Sequence, residues 1–226
     1  MKVTALIPMY NRELYIKEAV ESVLKQTHKE IDIIVYDDGS VDESVAIVKE
    51  MQKTNPNIKL IEGINNKGVS ASRNALLDAC ETEYAFWQDS DDISVSTRVE
   101  QQLKEINGGC IIFTNWAWLK FHPKTKKWIL SAKPLNANAF ASIMFYVDKS
   151  KRFDTTKIAG EDWDWIGNMT KRYKTKNVKQ ILYLVRYHPD RIGSWKLKLR
   201  AVFTKKELET IPYGELIRMH KERFGV

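Results

Sequence analysis

The clearest chemistry in this sequence lies in an apolar run that ends abruptly in carboxylates. Residues 83–88 read Glu-Tyr-Ala-Phe-Trp-Gln, and Asp89, Ser90, Asp91 and Asp92 follow directly. Three like charges within four positions repel one another unless a divalent cation or strong hydrogen bonds compensate them. Hard oxygen ligands at the end of a buried strand suit Mg²⁺ or Mn²⁺. An acidic turn that caps the next helix is the simpler alternative for this segment taken alone.

The elements that must position these carboxylates are strands and helices in alternation. Apolar runs predict strands at residues 3–7, 31–36, 58–61, 84–88 and 110–114. Helices are predicted between them, at residues 14–26, after a capping box at 40–43, at 70–80 and at 96–106. Four or five such units in series imply an α/β fold: a Rossmann-like, doubly wound, mostly parallel sheet with helices on both faces.

Polar residues follow each of the first four predicted strands. Because the carboxyl ends of parallel strands share one edge, and ligands bind outside that edge, we expect these clusters to meet. The clusters are Pro8 with Tyr10 and Asn11, then residues 37–40, 65–68 and 89–92. No Gly-x-Gly-x-x-Gly or P-loop motif follows any of these strands, which argues against a dinucleotide oxidoreductase or a P-loop nucleotidase. A nucleotide site that uses carboxylates and a metal remains.

Five motifs stand in a fixed order across the first 95 or so residues. They read Pro8-x-Tyr10-Asn11, Ser22-Val23-Leu24-x-Gln26-Thr27, Ile34-Val35-x-Asp37-Asp38-Gly39-Ser40-x-Asp42, Asn66-x-Gly68-x-Ser70-x-Ser72-Arg73-Asn74 and Asp89-Ser90-Asp91-Asp92. This order resembles family 2 of the inverting nucleotide-sugar glycosyltransferases, which have the GT-A fold. The resemblance continues more weakly through residues 160–162 and 183–194. Gln88 departs from it, because many members carry a small or aliphatic residue there, and the last thirty residues match no family motif.

The resemblance implies a metal-dependent, inverting transfer of a sugar from a nucleoside-diphosphate sugar, most commonly a UDP-sugar, to a carbohydrate or glycolipid acceptor. Asp91 would be the direct ligand of Mn²⁺ or Mg²⁺. Asp89 would lie near the ribose or a metal-bound water, and Asp92 would support both. His188 resembles a late family histidine that completes the metal shell, although a lone histidine in a sequence is equally compatible with a structural role.

For the donor nucleotide, the resemblance places Asp38 opposite the base N–H, with Pro8 and Tyr10 forming a wall against the ring. The other donor contacts that it implies are Asn11, Asp37, Asn66, Gly68, Arg73, Asp89, Arg191 and Ser194. A helix-entry turn is the alternative for residues 37 and 38. Arg73 could hold phosphate or brace Asp89 or Asp91. Arg191 and Ser194 suit a Pro/Gly segment that closes over the diphosphate, and a surface turn explains them almost as well.

The acceptor hydroxyl must lose its proton as it attacks, and a positioned carboxylate is the usual general base for that step. Asp162 matches the family motif in this role, with Glu161 as the adjacent alternative. A helix N-cap would also explain Asp162. Trp163 beside it offers an aromatic ring to the apolar face of an acceptor sugar, although tryptophan is more often a core residue.

Length and composition set the broader frame. The 226 residues suffice for one α/β domain, in which we expect residues 1–110 to bind the nucleotide sugar and a smaller region, 111–195, to bind the acceptor and carry the base. Residues 196–226 form a basic, helical segment that either packs on the domain or lies on an anionic membrane. No run approaches the ~18 apolar residues of a membrane span, so we expect a cytoplasmic protein, peripheral to a membrane at most. Cys80 and Cys110 are expected to be buried free thiols.

Other functions compete with a glycosyltransferase. The net charge of +7 suits an anionic ligand, but no reader motif for nucleic acid accompanies it, so we expect no such partner. A nucleotidyltransferase acting on sugar phosphates shares the sheet and the metal carboxylates, yet usually has a Gly-rich basic loop after its first strand, where this chain has residues 8–12. An inactive sugar-nucleotide-binding module is the remaining alternative.

Overall fold

A computed structural model describes residues 1–122, 125–130, 139–157 and 160–188. The chain separates into two compact units, Met1–Leu119 with Leu130–Arg186 and Lys120–Ile129 with Tyr187–Val226. Of the second unit, only residues 120–122, 125–129, 187 and 188 are described. The sheet core and residues 89–92, with the contacts described for them below, belong to the first unit.

In the first half of the chain, strands and helices alternate as expected. The second half consists mainly of strands. The strands are β1 (Val3–Met9), β2 (Ile31–Asp37), β3 (Ile58–Glu62), β4 (Tyr84–Trp87), β5 (Ile93–Ser94), β6 (Cys110–His122), β7 (Lys127–Leu130), β8 (Met144–Tyr146) and β9 (Lys174–Tyr187). The α-helices are α1 (Ile16–Leu24), α2 (Ser44–Thr54), α3 (Val69–Ala79), α4 (Arg98–Lys104) and α5 (Glu161–Thr170), and Phe140–Ser142 form a short 3₁₀ helix.

One sheet joins these strands in the order β3-β2-β1-β4-β8-β6-β9-β5, with β7 paired to β6. Its first half is parallel, since β2 pairs with β3 and β1 lies between β2 and β4. Ala5 in β1 is opposite both Ile33 and Phe86, which fixes the register at the centre. Antiparallel pairs follow between β4 and β8, between β8 and β6, and between β5 and β9.

Strands β1, β2 and β4 are buried on both faces, and their side chains alternate between two cores. Val3, Ala5 and Ile7 point into one core, with residues from α1, α2 and α4. Leu6 points into the other, with residues from α3 and α5. Because successive side chains of a strand point to opposite faces, this alternation requires a helical layer on each side. The predicted α/β sheet with helices on both faces is confirmed, and Cys80 and Cys110 are buried free thiols as expected.

The predicted capping box at residues 40–43 is wrong. Helix α2 begins four residues later, at Ser44, and no side chain caps it. The Ser40 hydroxyl instead accepts the N–H of Asn11, at 2.8 Å. Asp42 accepts the N–H groups of Glu13 and Ser44. These side chains therefore join the loop after β1 to the loop after β2.

Within the part of the chain that the structure describes, no helix has the length and apolar content needed to cross a membrane.

Candidate functional site

The carboxylate loop follows β4 at the predicted edge of the sheet. We use this name for residues 89–92. One ligand oxygen from each of Asp89, Asp91 and Asp92 can be chosen so that all lie within 4.8 Å of one another. Asp91 and Asp92 are buried and Asp89 is half-buried. The predicted convergence of these three carboxylates is therefore present in the fold.

Two uncharged side chains form hydrogen bonds with the backbone of the carboxylate loop. The Gln88 side chain is fully buried, and its amide donates to the carbonyl oxygens of Asp89 and Asp92, each at 2.9 Å. The hydroxyl of Tyr183 in β9 accepts the N–H of Asp89 at 3.1 Å. Sequence reasoning noted Gln88 only as a departure from the family pattern. That departure was the available signal, because an amide at the end of a buried strand must find polar partners.

Two arginines contact the carboxylate loop from other elements. Arg12, just after Asn11, donates from Nε to Asp91 Oδ2 at 3.2 Å. Arg186, at the end of β9, donates from Nε to the Asp91 carbonyl at 2.9 Å, and its backbone N–H donates to Asp92 Oδ1 at 2.8 Å. Sequence reasoning assigned neither arginine to the site, although Arg12 directly follows the first motif. Since Asp92 is fully buried and accepts a backbone N–H, it fits the supporting role predicted for it.

A buried positive charge lies beneath this cluster. Arg98 is fully buried and donates to the carbonyl oxygens of Trp87, Ala141 and Ile143. Burial lowers the pKa of Arg98 to about 10, opposed by attraction to Tyr183, Asp89 and Asp92. Burial also raises the pKa of Tyr183 well above its usual value, which keeps its hydroxyl neutral as the acceptor for Asp89. The nearby guanidinium reduces the repulsion among the carboxylates.

The carboxylate loop suits a divalent cation. Its carboxylates are hard oxygen donors, converge from one short loop, and are held by neighbouring hydrogen bonds. Asp89 and Asp91 are the residues that would hold Mg²⁺ or Mn²⁺. Asp92 ties the carboxylate loop to β9 by accepting the backbone N–H of Arg186.

The loops after β1 and β2 are joined through Asn11. Its backbone adopts a positive φ of 49°, and its side-chain oxygen accepts the N–H of Val41 at 3.0 Å. Asn tolerates this left-handed conformation better than most residues. Pro8 is half-buried and Tyr10 is 39% exposed, so the Tyr10 ring is accessible beside this junction. The donor contacts predicted for these three residues stay predictions.

Asp38 anchors the third of the four loops. Its two carboxylate oxygens accept the N–H groups of Lys67 and Gly68, at 2.9 and 2.8 Å. Burial raises the pKa of Asp38, and these two hydrogen bonds oppose the rise. The fold thus brings together three residues that are predicted to bind the sugar donor. Gly68 donates its N–H to Asp38 and also to the Asn66 side chain. Each carboxylate oxygen has a second lone pair that these hydrogen bonds do not use. The contact with the nucleobase that is predicted for Asp38 would use one of them.

Asp37 turns the chain at the end of β2. Its Oδ2 atom accepts the N–H groups of Gly39 and Ser40, at 3.1 and 3.0 Å. Its Oδ1 atom is buried without a hydrogen-bond partner among the described residues. Gly39 has a φ of 79°, and a Cβ there would lie 3.1 Å from the backbone of Asn65, so only glycine fits this close approach. The helix-entry turn and the predicted donor role are compatible for Asp37.

We expect Asp38→Asn to destabilise the protein by about 1–3 kcal/mol, because an amide can accept from only one of the two backbone N–H groups. Chemical denaturation measures this change. Asp78→Asn is the matched control, since Asp78 is exposed and pairs with Arg152 at the surface, where such pairs contribute about 0–1 kcal/mol. Equal losses in the two variants would contradict the anchoring role of Asp38.

Arg73 contacts neither Asp89 nor Asp91 through any hydrogen bond or ion pair found within the described ranges. Its Nη1 atom donates to Glu161 Oε1 at 3.1 Å, and both side chains are largely buried. Of the two alternatives left open for Arg73, bracing of Asp89 or Asp91 therefore has no support among the described contacts. The phosphate contact predicted for Arg73 stays a prediction.

The predicted base region begins α5. Gly160, with a φ of 82°, occupies the N-cap position, so the suggestion that Asp162 caps this helix is wrong. Asp162 lies in the first turn, half-buried, and its Oδ1 atom accepts the N–H of Trp163 at 2.8 Å. Trp163 is 61% exposed and lines a depression of about 330 Å³ with polar residues. Those residues include Asp154, Lys157, Asn168 and Lys171.

Three predicted residues remain beyond these contacts. His188 directly follows β9 and is buried, and its role as a metal ligand stays a prediction. Arg191 and Ser194 lie outside the described residues, as does the basic segment 196–226.

A mixed α/β sheet whose parallel strands end in a carboxylate loop places these residues in an α/β class that binds its ligands at this edge of the sheet. The chain belongs to glycosyl transferase family 2, whose model matches residues 4–160. It is 26% identical over 240 residues to the GalNAc(5)-diNAcBac-PP-undecaprenol beta-1,3-glucosyltransferase of Campylobacter jejuni, covering 98% of this chain and 77% of that relative. Several other relatives are much longer, and the chain spans 15% to 20% of three of them.

Solved structures support the fold. S. aureus TarS 1-349 in complex with UDP-GlcNAc has a TM-score of 0.70 at 17% identity, covering 98% of this chain and 73% of that chain. The mannosyltransferase PcManGT from Pyrobaculum calidifontis, in complex with GDP-Man and Mn²⁺, has a TM-score of 0.66 at 15% identity and covers 96% of this chain and 64% of that chain. At these identities the likeness shows the fold alone. The GT-A fold expected from the motifs is confirmed.

Proposed function

We propose that this glycosyltransferase transfers a sugar from a UDP-sugar to a hydroxyl of a glycan or a lipid-linked acceptor, with inversion, in a reaction that depends on Mn²⁺ or Mg²⁺. The observation that carries the proposal is the carboxylate loop at the edge of the sheet, where Asn11 and Asp38 join the neighbouring loops. The UDP-GlcNAc complex of TarS supports the choice of donor.

Sugar transfer from a diphosphate places negative charge on the departing phosphate. A divalent cation held by Asp89 and Asp91 would stabilise that charge as a Lewis acid. The protein's own contribution is to hold these carboxylates through Gln88 and Tyr183, so that little reorganisation is needed. The Mn²⁺ in the PcManGT complex supports the metal.

Asp162 is the stronger of the two proposed general bases. The Glu161 carboxylate is held by Arg73, and only 11% of its side chain is exposed. The Asp162 carboxylate is half-buried, and its described hydrogen bond uses one of its two oxygens. In an inverting single displacement, this carboxylate would take the proton of the acceptor hydroxyl as that hydroxyl attacks the anomeric carbon.

The acceptor is proposed from Trp163 and from the relatives. An exposed indole beside polar side chains is suited to a sugar, because sugars present apolar C–H faces and hydroxyl groups together. The name of the Campylobacter relative includes an undecaprenol diphosphate, which supports a lipid-linked acceptor. Such an acceptor would bring the protein to a membrane surface.

A thermal-shift panel tests the function. UDP-GlcNAc, UDP-glucose, GDP-mannose and UDP are each added with and without Mn²⁺. We expect a UDP-linked ligand to raise the melting temperature only when Mn²⁺ is present, because a ligand that binds only the folded state stabilises it. Release of UDP from the sugar donor then separates an enzyme from an inactive binding module. No shift with any nucleotide would contradict the proposal.

A further inference from the structure

Helix α3 carries a buried arginine whose contacts lead away from the carboxylate loop. The Arg73 side chain is 8% exposed, and its guanidinium carbon lies 4.2 Å from the centre of the Phe140 ring and 5.3 Å from that of Phe153. Its Nη1 atom donates to Glu161. The two rings fix the plane of the guanidinium, and the ion pair gives it a direction.

The next residues of α3 hold the chain that leads to α5. The Asn74 amide donates to the Phe153 carbonyl at 3.0 Å and accepts the Phe153 N–H at 2.9 Å. One turn later, Asp78 accepts two hydrogen bonds from Arg152, at 2.8 and 2.7 Å. Helix α3 thus contacts three places on this part of the chain. Asp78 binds Arg152, Asn74 binds the backbone of Phe153, and Arg73 binds Glu161 at the start of α5.

The contact with Arg73 is made by Glu161, the residue before the proposed general base Asp162. Glu161 is the first residue of α5, and Asp162 is the second. Trp165, Ile166 and Met169 pack α5 against the core, and the ion pair at Glu161 restrains its first turn, so the Asp162 side chain leaves the helix in a defined direction. The left-handed Gly160 supplies no side chain that could do this instead.

We propose that Arg73 is a positioning residue: through its buried ion pair with Glu161, it sets the orientation of Asp162 and does not bind the donor diphosphate. This inference rests on the proposed function, in which Asp162 is the general base. On this proposal, the motif Ser70-x-Ser72-Arg73-Asn74 orients the general base Asp162. Glu161 is then the anchor of α5, and its charge is needed although it takes no proton.

Charge and shape both matter at this contact. Removing one partner of a buried pair leaves the other charge uncompensated, whereas removing both relieves that penalty. A misplacement of about 1 Å at a reacting group can lower a rate by about 100-fold. Arg73 and Glu161 should therefore act on the same step, and their effects should not multiply.

The test uses Arg73→Met, Glu161→Gln, their double variant and Arg73→Lys. Methionine keeps a long apolar side chain between the rings and removes the charge, while lysine keeps the charge. Three quantities are measured: the dissociation constant of UDP with Mn²⁺, the rate of UDP release from UDP-GlcNAc at saturating donor, and the melting temperature. Arg152→Met is the matched control, since it breaks the exposed ion pair with Asp78 on the same segment.

We expect each single charge-removing variant to lower the rate about tenfold or more, with UDP affinity unchanged within about threefold. The double variant should be no slower than the slower single variant, and Arg73→Lys should recover part of the rate. Arg152→Met should stay near the wild-type rate. If Arg73→Met does not fold, Glu161→Gln and Arg73→Lys carry the same comparison.

Two results would overturn the inference. One is a loss of UDP affinity of more than about tenfold in Arg73→Met that Glu161→Gln does not share, which would place Arg73 on the donor. The other is a double variant whose rate loss is the product of the single losses. A wild-type protein that neither binds nor releases UDP would instead refute the proposed function. Coupling between the two residues in melting temperature would then still report on the pair itself.

Discussion

We expect Asp162→Asn to lower the rate of sugar transfer on the order of 100-fold or more, the usual contribution of a general base, while donor affinity stays within about threefold. Asparagine has the shape of aspartate, and its amide oxygen can still accept the N–H of Trp163. The start of α5 should therefore survive, and the loss should fall on kcat. Steady-state kinetics with a UDP-sugar, together with calorimetry of UDP binding, measures both quantities.

Asp164→Asn is the control for Asp162. Asp164 lies in the same first turn, contributes the same charge near the helix N-terminus, and pairs with Lys157 at the surface. Asp164 also lines the depression beside Trp163, so the comparison is made at saturating acceptor, where its loss should change kcat less than about threefold because an exposed pair contributes little. Equal rate losses in the two variants would mean that helix electrostatics explain the effect, and a wild-type rate for Asp162→Asn would remove the base assignment.

We expect Asp91→Asn to remove most of the metal dependence of UDP binding. Loss of a group that merely supports a metal ligand costs about 10- to 100-fold in affinity, so loss of a direct ligand should cost on the order of 100-fold or more. The amide oxygen can still accept from Arg12, so the carboxylate loop should keep its shape. Calorimetry of UDP binding with and without Mn²⁺ gives the metal-dependent part directly.

The affinity of Asp91→Asn for UDP without metal is the internal control, and it should match that of the wild-type protein. Asp154→Asn, which removes an exposed carboxylate outside the carboxylate loop, should keep the full response to Mn²⁺. A metal-assisted affinity in Asp91→Asn equal to the wild-type value would show that Asp91 is not a ligand.

The first half of the fold could be predicted because its signals are local. Strands β1, β2 and β4 are apolar runs buried on both faces, so composition alone marks them. The polar residues that follow them meet because parallel strands end at a common edge. That rule predicts Asn11, Asp38 and Asp91 on neighbouring loops at one edge of the sheet, as the structure has them.

The contacts that hold the site could not be predicted in the same way. Arg73 meets Glu161 across 88 residues, and Arg186 meets the Asp91 carbonyl across 95. No periodicity in a single sequence reports such pairs, because they depend on which helix packs on which face. Strand β8, with three residues, is too short to show a pattern, yet it joins β4 to β6.

The carboxylate loop also has a consequence for the order in which the protein is built. During synthesis the N-terminal part of a chain emerges first. The parallel strands β1 to β4 are complete once Trp87 has emerged, but the hydroxyl and guanidinium that hold residues 89–92 belong to Tyr183 and Arg186. A growing chain can therefore pair its parallel strands before residues 89–92 gain the contacts that hold them. If these residues hold a metal, as we propose, the metal would bind in its final geometry only after the second half of the chain has been made.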